Sequence, residues 1–225
     1  MPKGASFLTA IFIPFLAGNL ATADELETNA QKLSYIIGYQ FGQTMQQQGI
    51  ELDKKALMLA LDDVSNKKLA RLSPEQAKEV MQAMQQKEQQ QHTQQADNNK
   101  VAGESYLKAN KAKEGVVELP SGLQYKIIQP GNGKIPTADD TVEVNYQGTL
   151  INGTEFDSSY KRGKPITFKV SNVIPGWQEA LKLMPVGSKW ELAIPPKLAY
   201  GEQGAGHVIG PNETLLFNIE LLNIK

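Results

Sequence analysis

The sequence predicts an α+β protein: an all-α N-terminal part and a long connecting helix precede a C-terminal antiparallel sheet wrapped on one short helix. Three observations carry this prediction. From Asp24 to about Asn66, apolar residues recur every three or four positions, the period of an amphipathic helix. From Ser73 to Gly115, the only proline is Pro74. Beyond Gly115, apolar and polar residues alternate, which is the period of a half-buried strand.

The first segment predicts a signal peptide over residues 1–23. A mostly apolar run from Phe7 to Leu20 follows a basic residue, and a small-residue cleavage pattern ends at Ala23. The alternative is a membrane anchor, but the run is shorter than the ~20 residues that span a bilayer, and a proline and a glycine interrupt it. We therefore expect an exported protein.

Residues 24–70 are predicted to form a helical dimerisation domain of two short helices. The first ends at Gly49, and the second begins after Asp53, a residue suited to cap a helix. Two short amphipathic helices bury too little apolar surface to be stable alone, so they must pack on something. A second copy of the chain is the simplest partner, and the C-terminal domain of the same chain is the alternative. The apolar positions are Leu26, Ala30, Leu33, Ile37, Phe41 and Met45 in the first helix and Leu57, Leu61 and Val64 in the second.

Residues 73–114 are predicted to form one long connecting helix. Ser73 is placed as its cap, Pro74 at its first position, and Gln76 where it completes a capping box. Roughly forty helical residues would reach about 60 Å. The apolar face fades into a Gln-rich stretch over residues 85–95, which predicts a solvent-exposed strut. A disordered linker is the alternative, with Gly103 as a weak point.

Residues 116–225 predict the α+β domain, with one helix from Pro175 to Leu183. Asn152 and Gly153 stand between apolar residues and indicate a hairpin turn. In the helix, Trp177, Leu181 and Met184 are spaced to face one sheet. The alternating strand positions are Leu123, Tyr125 and Ile127, then Val142, Val144 and Tyr146, and later Leu215, Phe217, Ile219 and Leu221.

Composition excludes several classes of protein. The chain has 225 residues, is 40% hydrophobic and carries a formal net charge of −1, which argues against a nucleic-acid partner. It has no cysteine, which excludes disulfides, thiol catalysis, thiolate metal sites and the anchor of a bacterial lipoprotein. His92 and His207 lie far apart in the sequence, so we expect no metal and no cofactor. Paired carboxylates such as Asp62 and Asp63 are interpreted as solvated helix residues rather than an acid–base pair.

Three segments of the C-terminal part resemble FKBP-type peptidyl-prolyl cis-trans isomerases. They read VNYQGTLINGTEFDSSYKRGKPITF, VIPGWQEALKLMPVGSKWELAIPPKLAYG and GPNETLLFNIELL, and the resemblance covers roughly residues 116–225. The longer arrangement is similar to bacterial macrophage infectivity potentiator proteins and their periplasmic relatives. This implies a homodimeric isomerase and chaperone for proline-containing unfolded or exported proteins, in the periplasm or at the outer membrane or cell surface of a Gram-negative bacterium. It also implies inhibition by the macrolides tacrolimus and rapamycin.

The same resemblance implies a proline-binding pocket with Trp177 as its floor. Polar contacts would come from the Ile174 backbone N–H, the Tyr200 hydroxyl and the Asp157 carboxylate. Any one of the aromatic residues could be ordinary core packing, but their order and their neighbours together favour a pocket. We assign catalytic roles to Tyr146, Phe156, Asp157, Trp177 and Tyr200, and substrate binding to Phe168, Val173, Ile174, Ile209 and Phe217.

One segment departs from the family pattern. Ala205 stands where single-domain members often carry histidine, and His207 lies two residues further on. Whether His207 reaches a substrate is open at this point, and with it the substrate preference.

Prolyl isomerisation needs neither a nucleophile nor a metal. The barrier is ~18–20 kcal/mol because amide resonance is lost in the twisted state. An apolar pocket that excludes water disfavours the charge-separated planar amide, and a few fixed donors can hold the carbonyls. The competing hypothesis is a non-catalytic holdase or surface protein that binds proline-containing segments. Trp177 and Phe156 suit both, whereas Asp157 and Tyr200 favour an enzyme.

Overall fold

A computed structural model describes residues 26–47 and 49–225, so the predicted signal peptide lies outside the described residues. The chain divides between Ser73 and Pro74 into two compact units. Among the helices of the described part, none combines the length and the apolar character that crossing a bilayer requires.

The first unit contains two helices, α1 (Asn29–Gln47) and α2 (Lys54–Ser65). The Asp53 carboxylate caps α2 by accepting hydrogen bonds from the backbone N–H of Lys55 at 2.8 Å and of Ala56 at 2.9 Å. Both helices and this cap were predicted from the sequence and are confirmed.

The apolar faces of α1 and α2 are exposed in the single chain. In α1 no residue is buried. Leu61 and Val64, two of the predicted apolar positions of α2, are 53% and 77% exposed. Further exposed apolar side chains of this unit are Leu33, Tyr35, Ile36, Ile37, Tyr39, Phe41, Met58 and Leu59. The first unit therefore presents an exposed apolar surface, and burial of this surface against another one would stabilise the unit.

Asp63 corrects one expectation. Its side chain is buried rather than solvated, and both of its oxygens accept hydrogen bonds from the Arg71 guanidinium. The hydrogen bond from Arg71 holds the pKa of Asp63 below its ordinary value. This pair ties the segment that follows α2 back onto the helix.

The second unit begins with a continuous helix, α3 (Pro74–Lys111), of 38 residues, which is about 57 Å long at ~1.5 Å per residue. The Gln-rich stretch is exposed, as predicted. The prediction of an exposed strut is wrong for the C-terminal part of α3, because that part packs on the sheet. The buried Gln124 amide donates to the Leu107 carbonyl and accepts from Asn110, both at 2.9 Å.

At Gly103, α3 comes close to the segment that leads into the last strand. Gly103 is buried, and a Cβ at this position would collide with the Thr214 hydroxyl. The sequence suggested that Gly103 weakens the helix. The structure shows instead that the absence of a side chain lets α3 lie against the segment that leads into the last strand.

Seven antiparallel strands form the sheet of the second unit. The strand order is β1-β2-β6-β7-β3-β4, and β5 also pairs with β3. The long strands β3 and β7 pair along their length, from Val142 opposite Ile224 to Leu150 opposite Leu215. The strands are β1 (Val116–Glu118), β2 (Gln124–Gln129), β3 (Thr141–Leu150), β4 (Glu155–Ser158), β5 (Ile166–Lys169), β6 (Lys189–Ile194) and β7 (Leu215–Ile224).

One short helix, α4 (Pro175–Leu181), packs on this sheet. It ends two residues before the predicted Leu183. Trp177, Leu181 and Met184 are buried, as their spacing predicted. A Cβ on Gly176 would lie 2.5 Å from the Ile194 side chain, so glycine is what allows α4 to lie close to β6.

The alternating apolar pattern holds in the centre of the sheet and fails near its edge. The predicted inward positions of β3 and β7 are buried, whereas Ile127 on β2 is 48% exposed. With that exception, the predicted fold class is confirmed: helices precede an antiparallel sheet wrapped on one short helix.

Candidate functional site

One open cavity of about 570 Å³ is lined by all ten residues to which the sequence assigned a role. They come from β3, β4, β5, the segment between β5 and α4, the first turn of α4, β7 and the loop between β6 and β7. Their positions agree with the resemblance, and their individual roles remain predictions. Five further residues line the cavity: Asn172, Ala205, Gly206, His207 and Val208.

Trp177 is held in the cavity by three aromatic rings that meet it edge-on. The ring centroids lie 5.1 Å from Tyr146, 5.2 Å from Phe217 and 5.8 Å from Phe168, with interplanar angles of 88°, 81° and 84°. Such perpendicular pairs are favoured by the ring quadrupoles. The indole N–H is buried and has no hydrogen-bond partner among the described residues, so packing alone fixes this ring.

Gly148 on β3 makes room for two of the aromatic walls. A Cβ at this position would lie 2.6 Å from the Phe156 ring and 2.7 Å from the Phe217 ring. These two rings pack edge-on, with centroids 5.5 Å apart. Gly148 was not predicted from the sequence, because no local pattern shows that two remote rings converge on one strand position.

Asp157 belongs to a polar cluster at the cavity wall. Its carboxylate accepts hydrogen bonds from the Tyr146 hydroxyl and from Arg162, each at 2.5 Å, and from the Ser158 N–H at 2.9 Å. Arg162 also donates to the Tyr146 hydroxyl oxygen at 2.5 Å. Arg162 was missed as well, since one exposed basic residue in a turn carries no sequence signal of its own.

The cluster fixes the charges at this wall. Burial alone would raise the pKa of Asp157, but the hydrogen bonds from Tyr146 and Arg162 outweigh it and hold the pKa below its ordinary value. Burial, followed by the bond to Asp157, raises the pKa of Tyr146 to about 12. At neutral pH the site therefore holds a charged carboxylate, a charged guanidinium and a neutral phenol.

Two other predicted polar groups are left available to a ligand. The Ile174 carbonyl begins α4 by accepting from the N–H of Trp177 at 2.9 Å, while the Ile174 N–H donates to no backbone group among the described residues. Tyr200 is 42% exposed. Its hydroxyl makes no hydrogen bond within the described part of the chain.

A flap, defined here as Gly201–Asn212, forms the remaining wall. Ala205 and Ile209 pair as a small hairpin through bonds of 2.8 and 3.2 Å, and the Asn212 N–H donates to the Gly201 carbonyl at 2.8 Å. His207, between the paired residues, lines the cavity. The sequence left open whether His207 reaches a substrate. The structure places His207 where a molecule bound in the cavity would contact it.

The arrangement suits non-covalent binding of an apolar ring. The walls are mostly aromatic and aliphatic, and the polar groups stand at separate points around them, as in a site that orients a ligand by a few contacts. In the described part of the chain, no three histidine or carboxylate side chains are grouped to hold a metal ion.

Two family models match the chain. One, described as FKBP-type peptidyl-prolyl cis-trans isomerase, matches residues 133–222, and the other, described as the domain amino terminal to FKBP-type peptidyl-prolyl isomerase, matches residues 30–127.

Similar proteins match over most of their length. The outer membrane protein MIP of Legionella longbeachae is 48% identical over 207 residues, covering 90% of this chain and 89% of that protein. The FKBP-type 22 kDa peptidyl-prolyl cis-trans isomerase of Escherichia coli is 45% identical, covering 90% of this chain and 98% of that protein. The crystal structure of FkpA from Escherichia coli is 38% identical with a TM-score of 0.64, covering 89% of this chain and 98% of that one.

Proposed function

The chain belongs to the FKBP-type peptidyl-prolyl cis-trans isomerases, and on that premise we propose that it accelerates the folding of exported proteins, with chaperone activity. The observation that carries the site assignment is the convergence of all ten predicted residues on one cavity. Export is supported by the signal-peptide pattern that ends at Ala23 and by the printed name of the Legionella relative, an outer membrane protein. We place the protein in the periplasm or at the outer membrane, and cell fractionation distinguishes these locations.

The proposed mechanism is preferential binding of the twisted prolyl bond. The Trp177 indole supports the proline ring, and the apolar walls remove the water that stabilises the planar, charge-separated amide. The Ile174 N–H and the Tyr200 hydroxyl hold the carbonyls on either side. Asp157, itself held by Arg162, keeps the Tyr146 ring in place and presents fixed negative charge to the substrate. Each tenfold acceleration requires only ~1.4 kcal/mol of preference for the twisted state.

Replacement of the polar groups tests their roles. Tyr200→Phe should lower kcat/KM roughly tenfold with the melting temperature unchanged, because Tyr200 is 42% exposed and its hydroxyl has no partner among the described residues to lose. Asp157→Ala should lower kcat/KM similarly and also reduce stability by about 1 kcal/mol, because Tyr146 and Arg162 lose an acceptor at a partly solvated wall. A protease-coupled isomerisation assay and urea unfolding measure both effects.

Asp139→Ala is the matched control, since Asp139 is an exposed acidic residue that does not line the cavity. If Asp139→Ala reduced activity as much as Asp157→Ala, the effect would come from charge in general.

The contribution of Asp157 to stability also depends on pH, with a defined sign. Because its pKa is lowered on folding, this contribution is present above the ordinary carboxyl pKa and is lost as the pH falls through the lowered value.

Inhibition by macrolides tests whether the cavity is the isomerase site. Tacrolimus and rapamycin are expected to compete with a proline-containing peptide and to quench or shift the fluorescence of Trp177. The Trp177→Phe variant reports any residual signal from Trp190, which lies outside the cavity. A well-folded protein that is inert in the assay and binds neither compound contradicts the proposal. If such a protein still bound unfolded chains, the non-catalytic holdase would be the better description.

We further propose that the N-terminal unit forms a homodimer. The support is the exposed apolar surface of α1 and α2, because short helices gain most of their stability by burying such a face. The family match over residues 30–127 fits this proposal. Packing on the C-terminal domain of the same chain remains the alternative, and the two are distinguished by the mass of the full chain in solution.

A further inference from the structure

The base of the flap is held by the long helix α3. The Asn99 side-chain amide donates a hydrogen bond of 2.8 Å to the Pro211 carbonyl, across 112 residues of sequence. Gln95, one turn earlier, lies so close to Gly210 that a Cβ there would be 2.7 Å from its amide nitrogen. The helix that leads into the isomerase domain thus touches a wall of its site.

Pro211 is placed to pass this contact to the cavity. It is buried, and a buried carbonyl needs a hydrogen-bond partner, which Asn99 supplies. The next residue, Asn212, has a φ of 55° and closes the flap by donating to the Gly201 carbonyl. Ile209, two residues before Pro211, pairs with Ala205 and lines the cavity. A displacement of Pro211 would therefore move both the hydrogen bond between Asn212 and Gly201 and the hairpin formed by Ala205 and Ile209.

Gly103, one turn after Asn99 in α3, sets the distance between the helix and the flap. Gly103 follows Asn99 by four residues and so lies on the same side of the helix. It rests against the Thr214 hydroxyl, which is buried and has no hydrogen-bond partner among the described residues. The side-chain-free contact at Gly103 brings Asn99 within reach of Pro211.

We propose that Asn99 is a positioning residue for the isomerase site: by fixing Pro211 it holds the flap wall, Ala205–Ile209, in the position that binds the substrate beside its proline. The connecting helix α3 then contributes to substrate binding by the isomerase domain. The hydrogen bond of Asn99 goes to Pro211 and not to Trp177, Ile174 or Tyr146, so Asn99 affects substrate affinity and selectivity rather than rotation of the bond itself.

Asn99→Asp in the full-length mature chain tests this proposal. The substitution keeps the size of the side chain and replaces the donor with a carboxylate that repels the Pro211 carbonyl. KM for a proline-containing peptide should rise roughly threefold to tenfold, the range expected for loss of one hydrogen bond, with kcat nearly unchanged. Hydrogen exchange measured by mass spectrometry should become faster in residues 201–212 and stay unchanged in β3 and β7.

Asn98→Asp is the matched control. It adds the same charge at the neighbouring helix position, and Asn98 is exposed and contacts Gln94 on its own helix rather than the flap. The control should match the wild type in KM and in exchange. Equal behaviour of the two variants overturns the proposal. So does a general increase of exchange throughout the sheet after Asn99→Asp, because that would mark a merely structural role.

A second pair of variants tests the same contact without changing Asn99. Gly103→Ala pushes α3 away from Thr214 and should reproduce the rise in KM and the faster flap exchange. Adding Thr214→Ala removes the clashing hydroxyl, leaving its Cβ at 3.3 Å from the new methyl group, and costs no hydrogen bond. The double variant should therefore recover wild-type KM. If Gly103→Ala left KM and flap exchange unchanged, or if the double variant failed to recover, the helix would not position the flap.

Discussion

Trp177→Ala is expected to remove most of the isomerase activity and to lower the free energy of unfolding by about 3–5 kcal/mol. The side chain is 4% exposed, and three aromatic rings meet its edge or face within 6 Å. Its removal leaves those rings without a common contact and the proline ring without a floor. Urea unfolding and the protease-coupled assay, corrected for the folded fraction, measure the two losses separately.

Trp190→Ala is the control for this prediction. Trp190 is 3% exposed, stacks on Tyr125 with ring centroids 4.4 Å apart, and does not line the cavity. It should lower stability by a similar amount while the folded fraction keeps its activity. A Trp177→Ala variant that retained full activity per folded molecule would show that the substrate binds elsewhere.

Removal of the first unit is expected to convert a dimer into a monomer and to separate two activities. The isolated second unit should act on short peptides, whose proline fits one site. It should lose much of its effect on an unfolded protein, which two tethered sites can hold together through a raised effective concentration. Sedimentation equilibrium and the refolding of a protein limited by prolyl isomerisation measure these outcomes.

The structure defines where the chain should be cut. The two compact units divide between Ser73 and Pro74. A shortened protein that began near Gly115, after α3, would lack Asn110 and Leu107. These two residues form the hydrogen bonds of the buried Gln124 amide. The shortened protein should therefore begin at Pro74, so that a loss of activity is not confused with damage to the domain.

A single substitution provides an independent test of the dimer. Ile37→Glu places a charge on an α1 side chain that is 59% exposed in the single chain, and it should shift the full-length protein towards monomer. Gln46→Glu adds the same charge about two and a half turns along the helix, on its opposite side, and should not. A full-length wild-type chain that sediments as a monomer would rule out the dimer. Equal refolding activity of the full-length protein and of the protein that begins at Pro74 would show that the first unit has another role.

Periodicity was sufficient for most of the fold. The apolar spacing placed α1 and α2, the helix-start residues after Leu72 placed α3, and the alternation placed the central strands β3 and β7, which bury one face in the core. Periodicity failed where an element departs from that rule. Ile127 near the sheet edge is exposed, and Asp63 is buried because a guanidinium eight residues away pairs with it.

The site was predictable only where residues occur in recognisable local order. The family pattern named ten of the fifteen residues that line the cavity, but it did not indicate Gly148, Arg162 or Asn99. Gly148 and Asn99 contact segments that the chain brings close only after folding, such as Phe217 and Pro211. Arg162 lies five residues from Asp157, but an exposed basic residue in a turn does not by itself indicate such a pair. Gly103 shows the same limit, because helix propensity alone marks it as a defect and only its neighbour Thr214 explains it.

The topology of the sheet bears on when this protein can fold. The last strand in sequence, β7, lies between β6 and β3, and it provides four of the buried core side chains: Leu215, Phe217, Ile219 and Leu221. Until residues 215–224 have been synthesised, β3 and β6 have no partner between them. Sheets closed by such long-range pairing fold on the slow side, in milliseconds to seconds. We therefore expect residues 116–214 alone to lack a stable core, because the central pairings of the sheet form only when residues 215–224 are present.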